Sequence, residues 1–306
     1  MLIPRRFLLL LPIGIWLTGI VPGCKGRNLE NVGDAGTPFV FVLSPSHDAD
    51  RANLDRMGAF VEKHAGLHME IRVAESQADA VASASAYGAD AWLLPLFDYL
   101  FCHQEDGVRA GLRVLRDNGA TSYKGVIVVR SDGSIEKVEQ LKDKSIAFVD
   151  RYSTSGFVYP AKLLRAAGVN PKPVFEGTHQ AVLEQLRAGK VDAAATFDKA
   201  VAGDDTLRVI ARTDPIPNEP VFFRKGLDAA KRDQFINAMI AFAKTPEGKQ
   251  VLHDIADIDG FEKVDDVAYK SVHDDVRGAD RQVQDLVPKG WWIHHQNRAP
   301  LSEYAP

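Results

Sequence analysis

The chain has 306 residues, 45% of them hydrophobic and 25% charged, and a formal net charge of −4. That length accommodates two domains of ordinary size, and the composition is that of a soluble globular protein. No basic run stands out, so the charge gives no reason to expect a nucleic-acid partner, and no internal repeat or low-complexity segment is evident.

Arg5 and Arg6 precede an apolar run from Phe7 to Ile20, about 14 residues. A spanning helix needs about 20, so this run reads as a secretory leader. It ends at "VPGC", Val21 to Cys24, which resembles a bacterial lipobox and makes Cys24 the expected lipidation site. An ordinary cleaved signal or an uncleaved anchor is the alternative. Residues 1–24 are then the leader, and the polar, Gly-rich segment 25–37 reads as a flexible tether to the membrane.

Strands and helices alternate from there. "FVFVLS" (39–44) is a strand. The next segment places Leu54, Met57, Phe60 and Val61 at helical spacing and ends at Gly66. "MEIRVA" is a strand, "QADAVASASAYG" a short Ala-rich helix and "DAWLLP" a strand; "LFDYLFCHQED" is a helix with Phe97, Leu100 and Phe101 on its apolar face. "GVIVVR" and "SIAFVD" are two more strands. "YPAKLLRAAGVNP" is a helix stopped by Gly168 and Pro171, followed by the strand "KPVFEG", the helix "HQAVLEQLRAG" and the strand "VDAAATF". This alternation predicts an α/β protein of two doubly wound, largely parallel lobes. The expected division is 38–123 plus 214–306 for the first lobe and 124–213 for the second. Crossover strands near Tyr123–Val129 and Val209–Ile216 form a two-strand hinge.

Ligands of open α/β sheets bind outside the carboxyl ends of the strands. "DRYSTSGFVYP" (150–160) stands at such a place, between a strand and a helix. A helix N-terminus presents unpartnered N–H groups and positive potential to an anion. The hydroxyls of Ser153, Thr154 and Ser155 add donors, and Gly156 permits close approach of the backbone. The alternative is an N-cap in which one serine caps the helix and nothing binds. Pro160 lacks an N–H, so the first turn must tolerate it or kink.

The segment "DRYSTSGFVYPAKLL...AGVNP" resembles the signature of the phosphonate/phosphite/phosphate substrate-binding proteins of ABC transporters, the PhnD-like family. "VFEGTHQAVLEQLRAGKVDAAAT", "RTDPIPNEPVFFRKGL" and "ADAWLLPL" are similar to three further family segments, and the likeness runs from about Phe39 to about Asp275. It implies a type II periplasmic binding protein, a monomer without a cofactor, that closes on a small tetrahedral oxyanion and delivers it to an ABC permease. Ser153, Thr154, Ser155 and the Gly156 amide would hold oxygens and His179 would donate an N–H. Asp198 and Glu219 would accept from a ligand hydroxyl or amine, although His179 can instead cap its own helix and the two acids can be solvated loop charges. Tyrosines that line the family's pocket are replaced here by Leu93 and Gln77, which argues against an aminoalkyl phosphonate.

Two other functions compete. Cys102 is the one cysteine besides Cys24, either a small buried hydrophobe or a soft ligand for arsenic. Some lipoproteins similar to this family sense arsenite through a first-lobe cysteine and signal to a membrane histidine kinase, which is the alternative to transport. Ser155, His179 and Asp198 also supply the inventory of a hydrolytic triad, but no G-x-S-x-G elbow is present. His294 and His295 in "WWIHHQ" lack metal-ligand spacing, and Trp291 and Trp292 read as docking the tail onto a lobe. No metal site is expected.

Overall fold

The computed structural model describes residues 29–45, 47, 49–150 and 153–278. Cys24 and the leader, and the tail with Trp291, Trp292, His294 and His295, lie outside them. The chain runs β1 (Phe39–Leu43), α1 (Arg51–Ala65), β2 (Met69–Val73), α2 (Gln77–Ser85), β3 (Ala91–Leu93), α3 (Leu96–Asp106) and β4 (Arg109–Leu115). It continues through β5 (Ser122–Arg130), β6 (Ser145–Phe148), α4 (Tyr159–Ala166), β7 (Lys172–Phe175), α5 (His179–Arg187), β8 (Ala193–Phe197) and β9 (Leu207–Pro217). It ends with β10 (Pro220–Phe223), α6 (Ala229–Phe242), α7 (Pro246–Ala256), β11 (Gly260–Lys263) and α8 (Lys270–Gly278).

Two sheets form. The first has the order β11-β4-β10-β3-β1-β2 and the second β7-β6-β8-β5-β9. β1, β2 and β3 are mutually parallel, whereas β10 runs antiparallel between β3 and β4. In the second sheet β6, β7 and β8 are parallel, while β5 pairs antiparallel with both β8 and β9. β4 is a strand that the alternation of apolar segments does not mark. β10 and β11 return from the end of the described chain to build the first sheet around it.

All five residues of β1 are buried, as expected of a strand covered by helices on both faces. On one face, Phe39 stacks on Phe235 of α6 at 4.9 Å between ring centroids, within a core that includes α1 and α7. On the other, Trp92 stacks on Phe222 and its indole N–H donates to Ser83 Oγ at 2.8 Å, giving the buried indole the partner it needs. The tether expected over 25–37 differs in its second half. Leu29–Asn31 form a 3₁₀ turn and Val32 is 1% exposed in the first-sheet core. Gly33 C=O accepts from His68 N–H at 2.7 Å, so this stretch is packed rather than free.

The chain passes between the sheets twice, from β4 to β5 through residues 116–121 and from β9 to β10 through residues 218–219. Asn218 ties the two passages together. Its side chain donates to Val114 C=O and Ala120 C=O at 3.0 and 2.9 Å, and its N–H donates to Thr121 C=O. Asp117 and Asn118 both have positive φ, the backbone strain expected where a short loop turns sharply. A continuous apolar cluster joins Trp92, Leu94 and Tyr99 of the first lobe to Ile127, Phe148 and Phe157 of the second. Lys199 of the second lobe also reaches Asp117 at 2.9 Å.

Candidate functional site

β6 ends at Phe148, and the Ser153–Gly156 turn follows at its carboxyl end. Asp150 Oδ1 accepts from Ser153 N–H at 2.8 Å, and Ser153 Oγ in turn accepts from Gly156 N–H at 3.0 Å. Thr154–Val158 wind as a single π-turn leading into α4. The cause is Pro160. An α-helix would have the Pro160 N–H bond to Gly156 C=O; with no N–H there, that carbonyl accepts from Val149 N–H at 3.2 Å instead. A Cβ on Gly156 would run into Val149 and Ser153, so only glycine allows this crossing. On the other side of the turn, Gly125 of β5 leaves room for Ser155 C=O, which a Cβ there would meet at 3.2 Å.

The Gly156 amide, expected to face a ligand, is therefore satisfied within the turn by Ser153. The amides of Thr154 and Ser155, the first two of the turn, are the ones with no preceding helical carbonyl to bond. Both residues are buried, at 6% and 3% exposure. The Ser155 hydroxyl lies near the phenol of Tyr123 at the start of β5. Burial, then the Glu219 charge, push the Tyr123 phenol upward, so it is neutral at physiological pH.

His179 opens α5, but Thr178, not His179, caps the helix, accepting from Ala181 N–H at 3.1 Å. The His179 Nδ1 sits 2.9 Å from Thr196 Oγ1, and its ring meets Phe197 edge to face at 4.8 Å. These contacts fix the ring and leave Nε2 for a further partner. Burial holds this imidazole down at about 4, so it is neutral at pH 7. Asp198 follows β8, half-buried, and its Oδ1 accepts from Lys199 N–H. Its charge acts on Tyr123.

Glu219 lies between β9 and β10 with its side chain 14% exposed, gripped at both oxygens by Arg116 at 2.9 and 2.5 Å. Burial pushes this carboxyl up, but the attraction and hydrogen bonds of Arg116 outweigh it and hold the group below the usual range. Glu219 is thus the partner of a guanidinium rather than an open acceptor. Gln77, at the start of α2, donates to Asp98 Oδ2 of α3 and joins the two helices. Burial, reinforced by the Asp150 charge and opposed by the Gln77 bond, pushes Asp98 up to about 8.

Leu93 and Cys102 are not brought to this group. Leu93, 2% exposed, packs in the core shared with α1, α6 and α7; its neighbour Leu94 faces the opposite way. Cys102 is 0% exposed, and burial, then the charges of Asp98 and Asp106, push its thiol well up. Among the described residues, no group of three or more His, Cys, Asp or Glu side chains is placed to hold a metal ion.

Four residues near the site went unread in the sequence as site residues: Tyr123, Arg116, Asp98 and His47. His47 follows β1, and the rule that singled out the end of β6 applies equally to the end of β1. Arg116 gives no such signal, because its partner is 103 positions away.

A family model described as "ABC transporter, phosphonate, periplasmic substrate-binding protein" matches residues 39–269. The chain is 28% identical over 151 residues to the phosphonates-binding periplasmic protein of Escherichia coli, covering 44% of this chain and 45% of that one. It is 28% identical over 201 residues to the phosphate-import protein PhnD of Mycolicibacterium smegmatis, covering 60% and 63%. The matched stretches thus span about half to three-fifths of these relatives. In structure the chain resembles PhnD1 from Prochlorococcus marinus in complex with methylphosphonate, with a TM-score of 0.63 and 18% identity over 79% of this chain and 98% of that one; the likeness is one of fold.

Proposed function

Because the chain belongs to the phosphonate-binding family of periplasmic ABC-transporter substrate-binding proteins, we propose that it captures a small tetrahedral oxyanion in the periplasm and hands it to an ABC permease. Members of this family are transporter components and not enzymes. The oxyanion is phosphite, phosphate or a small phosphonate, bound by a monomer that Cys24 anchors to the membrane through lipid. The observation that carries this reading is the Ser153–Gly156 turn. The turn follows the carboxyl end of β6, where the Thr154 and Ser155 amides open it, and Tyr123 and a neutral His179 supply the further groups this reading uses.

Each group has a distinct task. The two amides and the Ser155 hydroxyl donate to oxygens with the turn's positive potential behind them. His179 Nε2, with Nδ1 engaged by Thr196, gives one more hydrogen bond. Asp198 accepts from the proton that a partly ionised oxyanion keeps and repels one that has lost it. Contacts from both lobes favour the closed state, and the 116–121 and 218–219 passages absorb the rotation. A fully buried Cys102, with its thiol pushed upward, counts against the arsenite-sensor alternative, since the thiolate is the metal ligand.

The soluble chain with phosphate, phosphite or methylphosphonate at about 1,000 times the dissociation constant is expected to gain about 4 kcal/mol. That appears as a melting shift of several degrees. Ser155→Ala and His179→Ala each weaken binding by about 1–3 kcal/mol, as loss of a buried hydrogen bond does, whereas Cys102→Ser leaves it unchanged. Intact affinity in both of the first two variants, or a response to arsenite that Cys102→Ser removes, overturns this reading.

A further inference from the structure

We propose that His47, at the carboxyl end of β1, is the first lobe's hydrogen-bond partner for the captured ligand, and that the Arg116–Glu219 ion pair uses up the first-lobe carboxylate an ammonium arm would need, so that the cleft favours compact oxyanions over those carrying an amine. This rests on the oxyanion-binding function proposed above and specifies its substrate class.

His47 lies just beyond β1, its N–H donating to Ser44 C=O at 3.0 Å. Its ring Nδ1 is buried without a hydrogen-bond partner among the described residues. A buried polar atom left unpaired is costly, and in a native protein it calls for a partner such as a ligand or water. The charged groups that face the ring are Glu219 and Arg116. Glu219 also acts on Tyr123, whose phenol lies near the Ser155 hydroxyl. His47 at the carboxyl end of β1 and the Ser153–Gly156 turn at that of β6 stand at the strand ends where open α/β sheets take their ligands.

Burial holds His47 at about 4, with Glu219 and Arg116 pulling in opposite directions. The ring is neutral, with one nitrogen donating and the other accepting, and so suits a partly protonated oxyanion. The acids on the first-lobe side are already engaged. Glu219 is held at both oxygens by Arg116, a bidentate pairing that satisfies both partners. Asp98 is pushed up to about 8 and holds Gln77. An ammonium group reaching the first-lobe side would lose its hydration and find Glu219 already held by Arg116, leaving Asp198 of the second lobe as its one carboxylate there.

Calorimetric titration of the full soluble chain with phosphate, methylphosphonate, ethylphosphonate and 2-aminoethylphosphonate tests this, with melting curves to show that each variant is folded. The expected result is that ethylphosphonate binds at least about tenfold more tightly than its amino analogue. His47→Phe, which keeps the ring's bulk, weakens methylphosphonate about tenfold, and His47→Asn, which keeps a donor near the Nδ1 position, restores most of it. Arg116→Ala narrows or reverses the ethyl-to-aminoethyl ratio by freeing Glu219, and Arg116→Lys preserves it; a merely structural role for Arg116 would lower both affinities and leave the ratio alone. If Ser155→Ala weakens binding while His47→Phe does not, and both ethyl compounds bind alike, this inference is overturned and the oxyanion function stands. If the wild-type chain binds none of the four, the oxyanion function falls with it.

Discussion

Asp90→Ala is expected to cost about 3–5 kcal/mol of stability, the range for removing one member of a buried ion pair. Asp90 Oδ1 meets Arg224 Nε at 2.7 Å, with the two side chains 0% and 4% exposed. Its Oδ2 accepts from Val40 N–H at 3.0 Å, and its carbonyl accepts from Arg224 N–H. One residue thus fastens the start of β3 to β1 and to the end of β10, which arrives from 134 positions away. Alanine leaves the buried Arg224 guanidinium without its counter-charge and the Val40 amide without its acceptor. Melting should fall by about 10 °C. A double change of Asp90→Ala with Arg224→Met, which removes both charges, should recover part of that loss. A single-variant loss below about 1 kcal/mol, the value of an exposed pair, would mean that this junction does not hold the first sheet together.

Asp98→Asn is expected to act in the opposite direction. The folded protein holds this carboxyl at about 8 against an ordinary 3.8, chiefly by burial, so the unfolded chain releases the proton first. Stability linked to Asp98 is fully present below about 3.8 and is lost as pH rises towards about 8. Asparagine mimics the neutral acid, can still accept from Gln77 and has no proton to lose. The variant should match the wild type near pH 4 and exceed it by roughly 4 kcal/mol at pH 7. Chemical denaturation across pH 4–8 measures the difference. His47 and His179 contribute with the other sign, since both are held at about 4. Their linked stability falls as pH drops from about 6.5 towards 4, equally in both proteins, and cancels in the comparison. A constant offset between the two proteins would show that Asp98 is ionised in the fold.

The sequence displays what is local. β1 and the helix after it are visible because a wholly apolar run and an amphipathic period identify themselves, and the Asp50 cap that accepts from Asn53 N–H marks the helix start. β4 does not show itself: "RAGLRVL" sets Arg and Gly among apolar residues, and its partners β10 and β11 arrive more than a hundred residues later. The same limit governs the site. The Ser153–Gly156 turn is legible because its cap and glycine are contiguous. Glu219 is not legible as a paired carboxylate, because Arg116 reaches it only through the fold. Leu93 and Leu94 are equally apolar, so composition cannot say which faces α1 and which faces the second lobe. That parity depends on the register of β3 against β1, Leu43 opposite Leu93.

If the Ser153–Gly156 turn is an oxyanion cradle, a crystal structure of the protein with phosphate, phosphite or methylphosphonate will show it. The anion's oxygens are expected within hydrogen-bond reach of the Thr154 and Ser155 amides, the Ser155 hydroxyl and His179 Nε2. An anion seated elsewhere, with those amides bonded within the protein and the turn serving only to cap α4, would contradict it.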